Sequence, residues 1–209
     1  GVDLFAELYK DEDRLGSFVR GMTGVSLGTA RAIAAKFPWR DYQTVIDIGT
    51  AQGALPVQVA LAHVHLGGGG FDLPVVRPHF EDYVRTHDLH DRLAFYPGDF
   101  FHDALPAADV LVMGHILHDW GMPEKLALLD NAYRALPKGG TLVVYESLID
   151  DERRENAFGL LMSLNMLIET RGGFDYTAAD CFGWMKQVGF SSMRAEHLFG
   201  PDSMVVAVK

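Results

Sequence analysis

The sequence predicts an α/β fold: a doubly wound sheet of about seven strands, mostly parallel, with a C-terminal antiparallel hairpin and N-terminal helices ahead of it. Three observations carry this. A buried strand, Val45-Ile46-Asp47-Ile48, runs into a turn with a small residue at every second place (Gly49, Ala51, Gly53), and then into a helical pattern that puts Leu55, Val59 and Ala62 on one face. From Thr44 onward, short apolar runs alternate with amphipathic stretches, as βαβ units require. The last two extended runs, 191–198 and 203–208, are separated only by a turn at Gly200-Pro201-Asp202, which breaks the alternation and reads as a hairpin at one sheet edge.

Residues 1–40 form a helical segment and 41–209 the main domain. In the first, Leu4, Phe5 and Leu8 make an apolar stripe that Leu15, Phe18, Val19 and Met22 continue at helical spacing. Gly21, Gly24 and Gly28 weaken the middle, so two or three helices are expected, ending at Pro38. A helix follows at 54–64. The run Gly67 to Gly70 reads as a flexible turn ahead of a very short second strand, Phe71-Asp72-Leu73-Pro74. A helix at 78–86, strands at 93–96 and 109–113, a helix at 123–136 and a strand at 141–145 come next. Pro123 starts the last of these helices, and Pro137-Lys138-Gly139-Gly140 stops it. The Met- and Leu-rich stretch 154–168 is helical and reads first as core. Thr177 caps a final helix that Gly189 closes.

With 209 residues the chain is one domain able to bury a core. A net charge of −10 excludes the basic face that nucleic acid or an anionic membrane surface needs. No apolar run approaches the roughly 20 residues of a membrane span, and the mixed, acidic N-terminus has no signal-peptide pattern. The single Cys181 excludes an internal disulfide and fits a reducing compartment, so a cytoplasmic location is expected. The chain also lacks an initiator Met.

The turn after the first strand lets a ligand approach the backbone at a strand's carboxyl end, where open α/β sheets bind ligands. A nicotinamide turn reads G-x-G-x-x-G and seats a pyrophosphate. Here the spacing is G-x-A-x-G, one residue shorter, with Asp47 just ahead. A carboxylate there repels a pyrophosphate but suits a ligand with an ammonium and a sulfonium, so the turn leans towards S-adenosylmethionine. Asp47, Asp72, Asp99 and Glu146 stand at the carboxyl ends of strands, along one rim of such a sheet. Asp72 lies 19 residues after Gly53, close to the roughly 20-residue spacing at which an acid reaches ribose hydroxyls. Asp99 offers an acceptor for an adenine amino group, and Phe100 an aromatic wall for its face.

With the glycine turn, Phe71-Asp72-Leu73-Pro74, Gly98-Asp99-Phe100-Phe101 and His115-Ile116-Leu117-His118-Asp119-Trp120 in one order, the chain resembles the S-adenosylmethionine-dependent O-methyltransferases of the caffeic-acid and hydroxyindole type. The resemblance runs from about Phe18 to the C-terminus. It implies a Rossmann-like class I methyltransferase domain, metal-independent transfer to a small aromatic natural product, S-adenosylhomocysteine as product, and a homodimer. It further implies His118 as catalytic base, with Glu146 and Asp175 as its acidic partners. Gly49, Gly53, Asp47, Asp72, Leu73, Asp99, Phe100 and Ser26 would contact the cofactor. Phe18, Met22, Met162 and Met166 would line the acceptor pocket. The chain departs from the family in Ala51, in Gly114 where many relatives carry a basic residue, in Asp175 where a Glu is usual, and in showing no counterpart of the N-terminal dimerisation domain. Apolar residues of the N-terminal segment and of 154–168 are then expected at the surface.

Methyl transfer from a sulfonium needs positioning and a nucleophilic acceptor. A phenol with a pKa near 10 needs a base, and an imidazole held by a carboxylate through its other nitrogen supplies one. His115, three residues before His118 and on the same face of a helical turn, makes a metal trio with His118 and Asp119 conceivable. No further ligand at convincing spacing stands out, and no metal is expected. Trp120 reads as packing, as does Cys181.

Overall fold

The computed structural model describes Tyr9 and residues 11–209. The apolar stripe Leu4, Phe5 and Leu8 lies outside them. The first described helix, α1 (Glu12–Lys36), runs unbroken for 25 residues where two or three helices were expected. Its buried residues explain the difference. Leu15 and Val19 pack into one core cluster with Val57, Phe80 and Val84, while Ala30 and Ile33 pack into another with Val45, Leu55 and Val110. A Cβ at Gly21 or Gly24 would meet nothing within 4 Å, so these glycines cost only helix propensity, about 1 kcal/mol each. Gly28 has a packing reason: a Cβ there would sit 2.7 Å from the Phe199 ring. Asp11 caps the helix by accepting the Arg14 N–H at 3.0 Å.

Beyond it come β1 (Thr44–Ile48), α2 (Ala54–Ala62), β2 (Gly67–Asp72), α3 (Arg77–Thr86), β3 (Leu93–Pro97) and β4 (Val110–Gly114). They are followed by α4 (Met122–Ala135), β5 (Thr141–Glu146), α5 (Ala157–Glu169), α6 (Ala178–Val188), β6 (Ser192–Phe199) and β7 (Asp202–Val208). The seven strands form one sheet in the order β3-β2-β1-β4-β5-β7-β6. The first five are parallel; β7 lies antiparallel between β5 and β6. The expected hairpin is therefore present, with β6 as the edge. Neighbouring residues on each strand face opposite layers: Ile46, Leu111 and Leu142 enter one cluster, and Val45, Val110 and Val143 the other. Strand order reverses between β1 and β4, so the crevice for a ligand opens beyond their carboxyl ends.

The glycine run is strand, not turn. Thr44 to Ile48 pair in register with Gly67 to Phe71, and Gly68 to Asp72 pair with Leu93 to Pro97 on the other side. Gly68 and Gly69 carry φ values of 137° and 156°, and a Cβ on either would strike the backbone of Val45 or Ala94. Gly70 leaves the space taken by the Thr50 side chain. Glycine is a poor strand former, but two parallel neighbours satisfy this backbone on both edges and outweigh the propensity. Thr177 caps α6, as the sequence implied, and Asp180 completes a capping box with it. Among the described residues, no helix is long and apolar enough to cross a membrane.

Candidate active site

A cavity of about 480 Å³ opens at the switch point. The turn from β1 to α2 forms one wall. Gly49, Ala51 and Gly53 all have positive φ, at 72°, 50° and 86°. A Cβ on Gly49 would strike Ile116, and one on Gly53 would lie 2.6 Å from the Phe80 ring. Ala51 holds its left-handed conformation at a steric cost that a glycine would avoid. Its N–H donates to Asp72 Oδ2 at 2.9 Å, and the Leu73 N–H donates to Asp72 Oδ1 at 2.8 Å. Each carboxylate oxygen of Asp72 is thus held by one backbone donor and keeps a lone pair for a ligand hydroxyl. Burial pushes the Asp72 carboxyl up to about 6, against these two hydrogen bonds. Asp47 accepts the Thr50 hydroxyl at 2.9 Å, and burial pushes its carboxyl up to about 7.

The expected cofactor residues Ser26, Asp47, Gly49, Asp72, Leu73, Asp99 and Phe100 all line this cavity, as do Phe18 and Met22 from α1. Gly53 shapes the turn without lining it. Phe101 and Trp120 join the aromatic wall, their rings edge-to-face at 4.6 Å. Met162 and Met166 do not line the cavity, which corrects their placement in an acceptor pocket. Met166 is buried, Leu160 and Met162 are half-buried, and α5 turns Phe158, Leu161, Leu164, Leu167 and Ile168 outward.

His118 lies on a single 3-10 turn, Leu117–Asp119, behind the cavity wall. Its backbone N–H donates to Glu146 Oε1 at 3.3 Å. Its Nδ1 lies 3.2 Å from Asp175 Oδ1 and 3.7 Å from Glu146 Oε2; its Nε2 lies 3.6 Å from Asp119 Oδ1. Asp175, though short, comes closer to the ring than Glu146 does. Burial works against the imidazolium, but Glu146, Asp175 and Asp119 outweigh it and raise the ring to about 9. Burial pushes Asp119, which does line the cavity, up to about 7.

Two contributors, Asp202 and Lys125, were not visible in the sequence, and a third, His115, was seen there only as a possible metal ligand on a helical turn. His115 is not on a helix; its φ of 52° kinks the chain and turns its ring into the cluster, 5.9 Å from the His118 ring. Its Nδ1 is 3.6 Å from Glu146 Oε2 and its Nε2 3.4 Å from Asp202 Oδ2. Asp202 accepts from Thr29 and Ser147, each at 2.7 Å. It was read as part of a plain turn, yet the β5–β7 pairing sets Glu146 opposite Ser203 and brings Asp202 to the site. Lys125, buried in α4, donates to the carbonyls of Trp120 and Phe174 at 2.5 and 3.2 Å, with its ammonium 3.6 Å from the Phe174 ring centroid. It ties the His118 turn to the loop carrying Asp175, and burial lowers it to about 8. The metal trio also changes. The third donor beside His115 and His118 is Glu146 rather than Asp119.

A sequence profile of the O-methyltransferase domain matches residues 1–191. The chain belongs to the O-methyltransferase domain family. It is 38% identical to the tetracenomycin polyketide synthesis 8-O-methyl transferase TcmO of Streptomyces glaucescens, over 96% of this chain and 59% of that protein. It is 36% identical to the N,N-dimethyltransferase OxyT of Streptomyces rimosus, over 100% of this chain and 61% of that one. The structure superposes on human N-acetylserotonin methyltransferase in complex with SAM with a TM-score of 0.91 at 27% identity, covering 100% of this chain and 59% of the other. On the mitomycin 7-O-methyltransferase MmcR the TM-score is 0.92 at 28% identity, covering 100% and 61%. The chain spans about three fifths of the length of these relatives. They share the expected fold, and the family is the one that the motifs resemble.

Proposed function

We propose that the protein transfers a methyl group from S-adenosylmethionine to a phenolic hydroxyl of a small natural product, with His118 as general base. One observation carries the reading: His118 is held through Nδ1 by Asp175 and Glu146, directly behind the wall of a cavity lined by its neighbour Asp119 and by Asp72, which keeps one backbone-fixed lone pair free on each oxygen. The cavity suits the cofactor. Its acids, Asp47, Asp72 and Asp99, match a ligand that bears a sulfonium and an ammonium, and Phe100 and Phe101 offer faces for adenine. The relatives named for O-methylation, and the human structure solved with SAM, support the same assignment.

The bound cofactor supplies a methyl group already activated on a sulfonium. The rest falls to the chain. Phe18 and Met22 orient an aromatic acceptor, and positioning of this kind contributes about 7–11 kcal/mol. His118 Nε2 takes the acceptor's proton while Asp175 and Glu146 stabilise the resulting imidazolium, which contributes about 10²–10⁴-fold. A sulfonium near the ring is a like charge and lowers its pKa, which frees the base. The assembled enzyme is a homodimer in this reading, supported by the exposed apolar side of α5. OxyT's name favours a second reading, methylation of nitrogen, which mass spectrometry of the product made from labelled cofactor separates from the first.

His118→Ala should reduce methyl transfer by about 10²–10⁴-fold. Calorimetry should find its affinity for S-adenosylhomocysteine unchanged. Full activity in this variant refutes the role given to His118.

A further inference from the structure

The cluster behind the cavity holds more donor capacity than a general base uses. The Nδ1 atoms of His115 and His118 converge on a single atom, Glu146 Oε2, at 3.6 and 3.7 Å. One donor atom from each of the three residues lies within 4.8 Å of the others. Glu146 Oε2 is buried and makes no hydrogen bond, and neither does His115 Nε2 or Asp175 Oδ2. Buried polar atoms left over in this way mark a place where a further ligand fits.

We infer that His115, His118 and Glu146 form a binding site for a divalent transition-metal ion of the zinc class, and that its occupancy silences the base. Adjacent ligands on tetrahedral zinc lie about 3.3–3.5 Å apart, so the two contacts to Glu146 need a few tenths of an ångström of closure, and donor atoms as far as 4.8 Å apart close by about a further ångström on binding. Two imidazoles and one carboxylate select zinc, cobalt or non-haem iron over magnesium or calcium. Outer-shell groups are already in place. His115 Nε2 faces Asp202, and Glu146 Oε1 accepts the His118 N–H and lies 3.4 Å from the Tyr176 hydroxyl. Asp175 Oδ1, 3.2 Å from His118 Nδ1, stands ready as a fourth ligand. His115 lines the cavity, which supplies the entry path.

Binding displaces the proton on each Nδ1 to solvent. His118 then keeps its remaining proton on Nε2, the nitrogen that must accept one from the acceptor, and the base is blocked. This silencing rests on the role proposed for His118; the metal site itself does not.

The test is a titration of the chelator-treated chain with Co²⁺, read by visible absorption. One equivalent should give a ligand-field band that Zn²⁺ abolishes. The band should be lost in Glu146→Gln and in His115→Asn, since asparagine tolerates the left-handed backbone there. Circular dichroism checks that both variants fold. His63→Ala, which removes one of a separate histidine pair, should keep the band. No band, or a band that survives in His115→Asn, overturns the site. In the active enzyme, Zn²⁺ should inhibit methyl transfer reversibly, with the inhibitory concentration at least about tenfold higher in His115→Asn. Cobalt binding without zinc inhibition overturns the silencing and leaves the site standing.

Discussion

Asp47 and Asp72 are buried acids that serve two opposed demands. In the folded chain burial raises them to about 7 and about 6, above the roughly 3.9 of an unfolded aspartate. Between pH 4 and 7 the folded state therefore holds more protons at these two groups than the unfolded state does. Their contribution to stability falls as pH rises through this window and grows as pH is lowered. Binding of a cationic cofactor has the opposite sign, because it needs both acids ionised. Affinity for S-adenosylmethionine should therefore weaken progressively from pH 8 to pH 5, and Asp72→Asn should flatten that dependence. Calorimetric titration across this range measures it, and a pH-independent affinity would show that these acids do not face the ligand's charge. Asp72 was legible because the spacing from a glycine turn to a ribose-binding acid is local arithmetic. Asp202 was not, because only the β5–β7 register brings it to His115.

At the scale of the element, glycines divide by what surrounds them. Gly24 in α1 has open space around it, so Gly24→Ala should stabilise the fold by about 1 kcal/mol. Gly68 in β2 has a φ of 137° with Val45 backbone where a Cβ would go, so Gly68→Ala should destabilise by about 3 kcal/mol. Urea denaturation of the two variants tests both signs; equal effects would mean that β2 does not run through the glycines. Residue type alone could not separate these cases. The same amino acid reads as a breaker in both, and the deciding fact is which strand or side chain lies alongside. The Thr177 cap was legible for the converse reason, since every atom it uses lies within four residues.

Across the whole molecule, the unbalanced surface is the outer side of α5. Phe158, Leu161, Leu164, Leu167 and Ile168 are between 49% and 84% exposed, a contiguous apolar side of the kind that marks an interface. The sequence read this stretch first as core, which the structure corrects, and as apolar surface only where no dimerisation domain covers it, which holds for α5. In α1 the large exposed apolar residue is Val25 alone. The chain as given should therefore self-associate through α5. Leu164→Gln with Ile168→Gln should shift its size-exclusion elution to the monomer and leave S-adenosylhomocysteine binding intact. Unchanged elution would place association elsewhere.

The division between what was readable in the chain and what was not follows sequence distance. The β1 turn, the acids at strand ends, the His-Asp-Trp block and the hairpin are local patterns, and they specified the fold, the family and the acidic rim of the cavity. The continuity of α1, the glycine strand, the burial of Lys125 and the convergence of His115, Glu146 and Asp202 rest on contacts between segments far apart in the chain. Packing energy and strand register select those contacts, and neither is written in any one stretch of residues. The base was visible as a motif. What surrounds it, and hence its charge and its donor-rich neighbourhood, came from the way the sheet closes around β5.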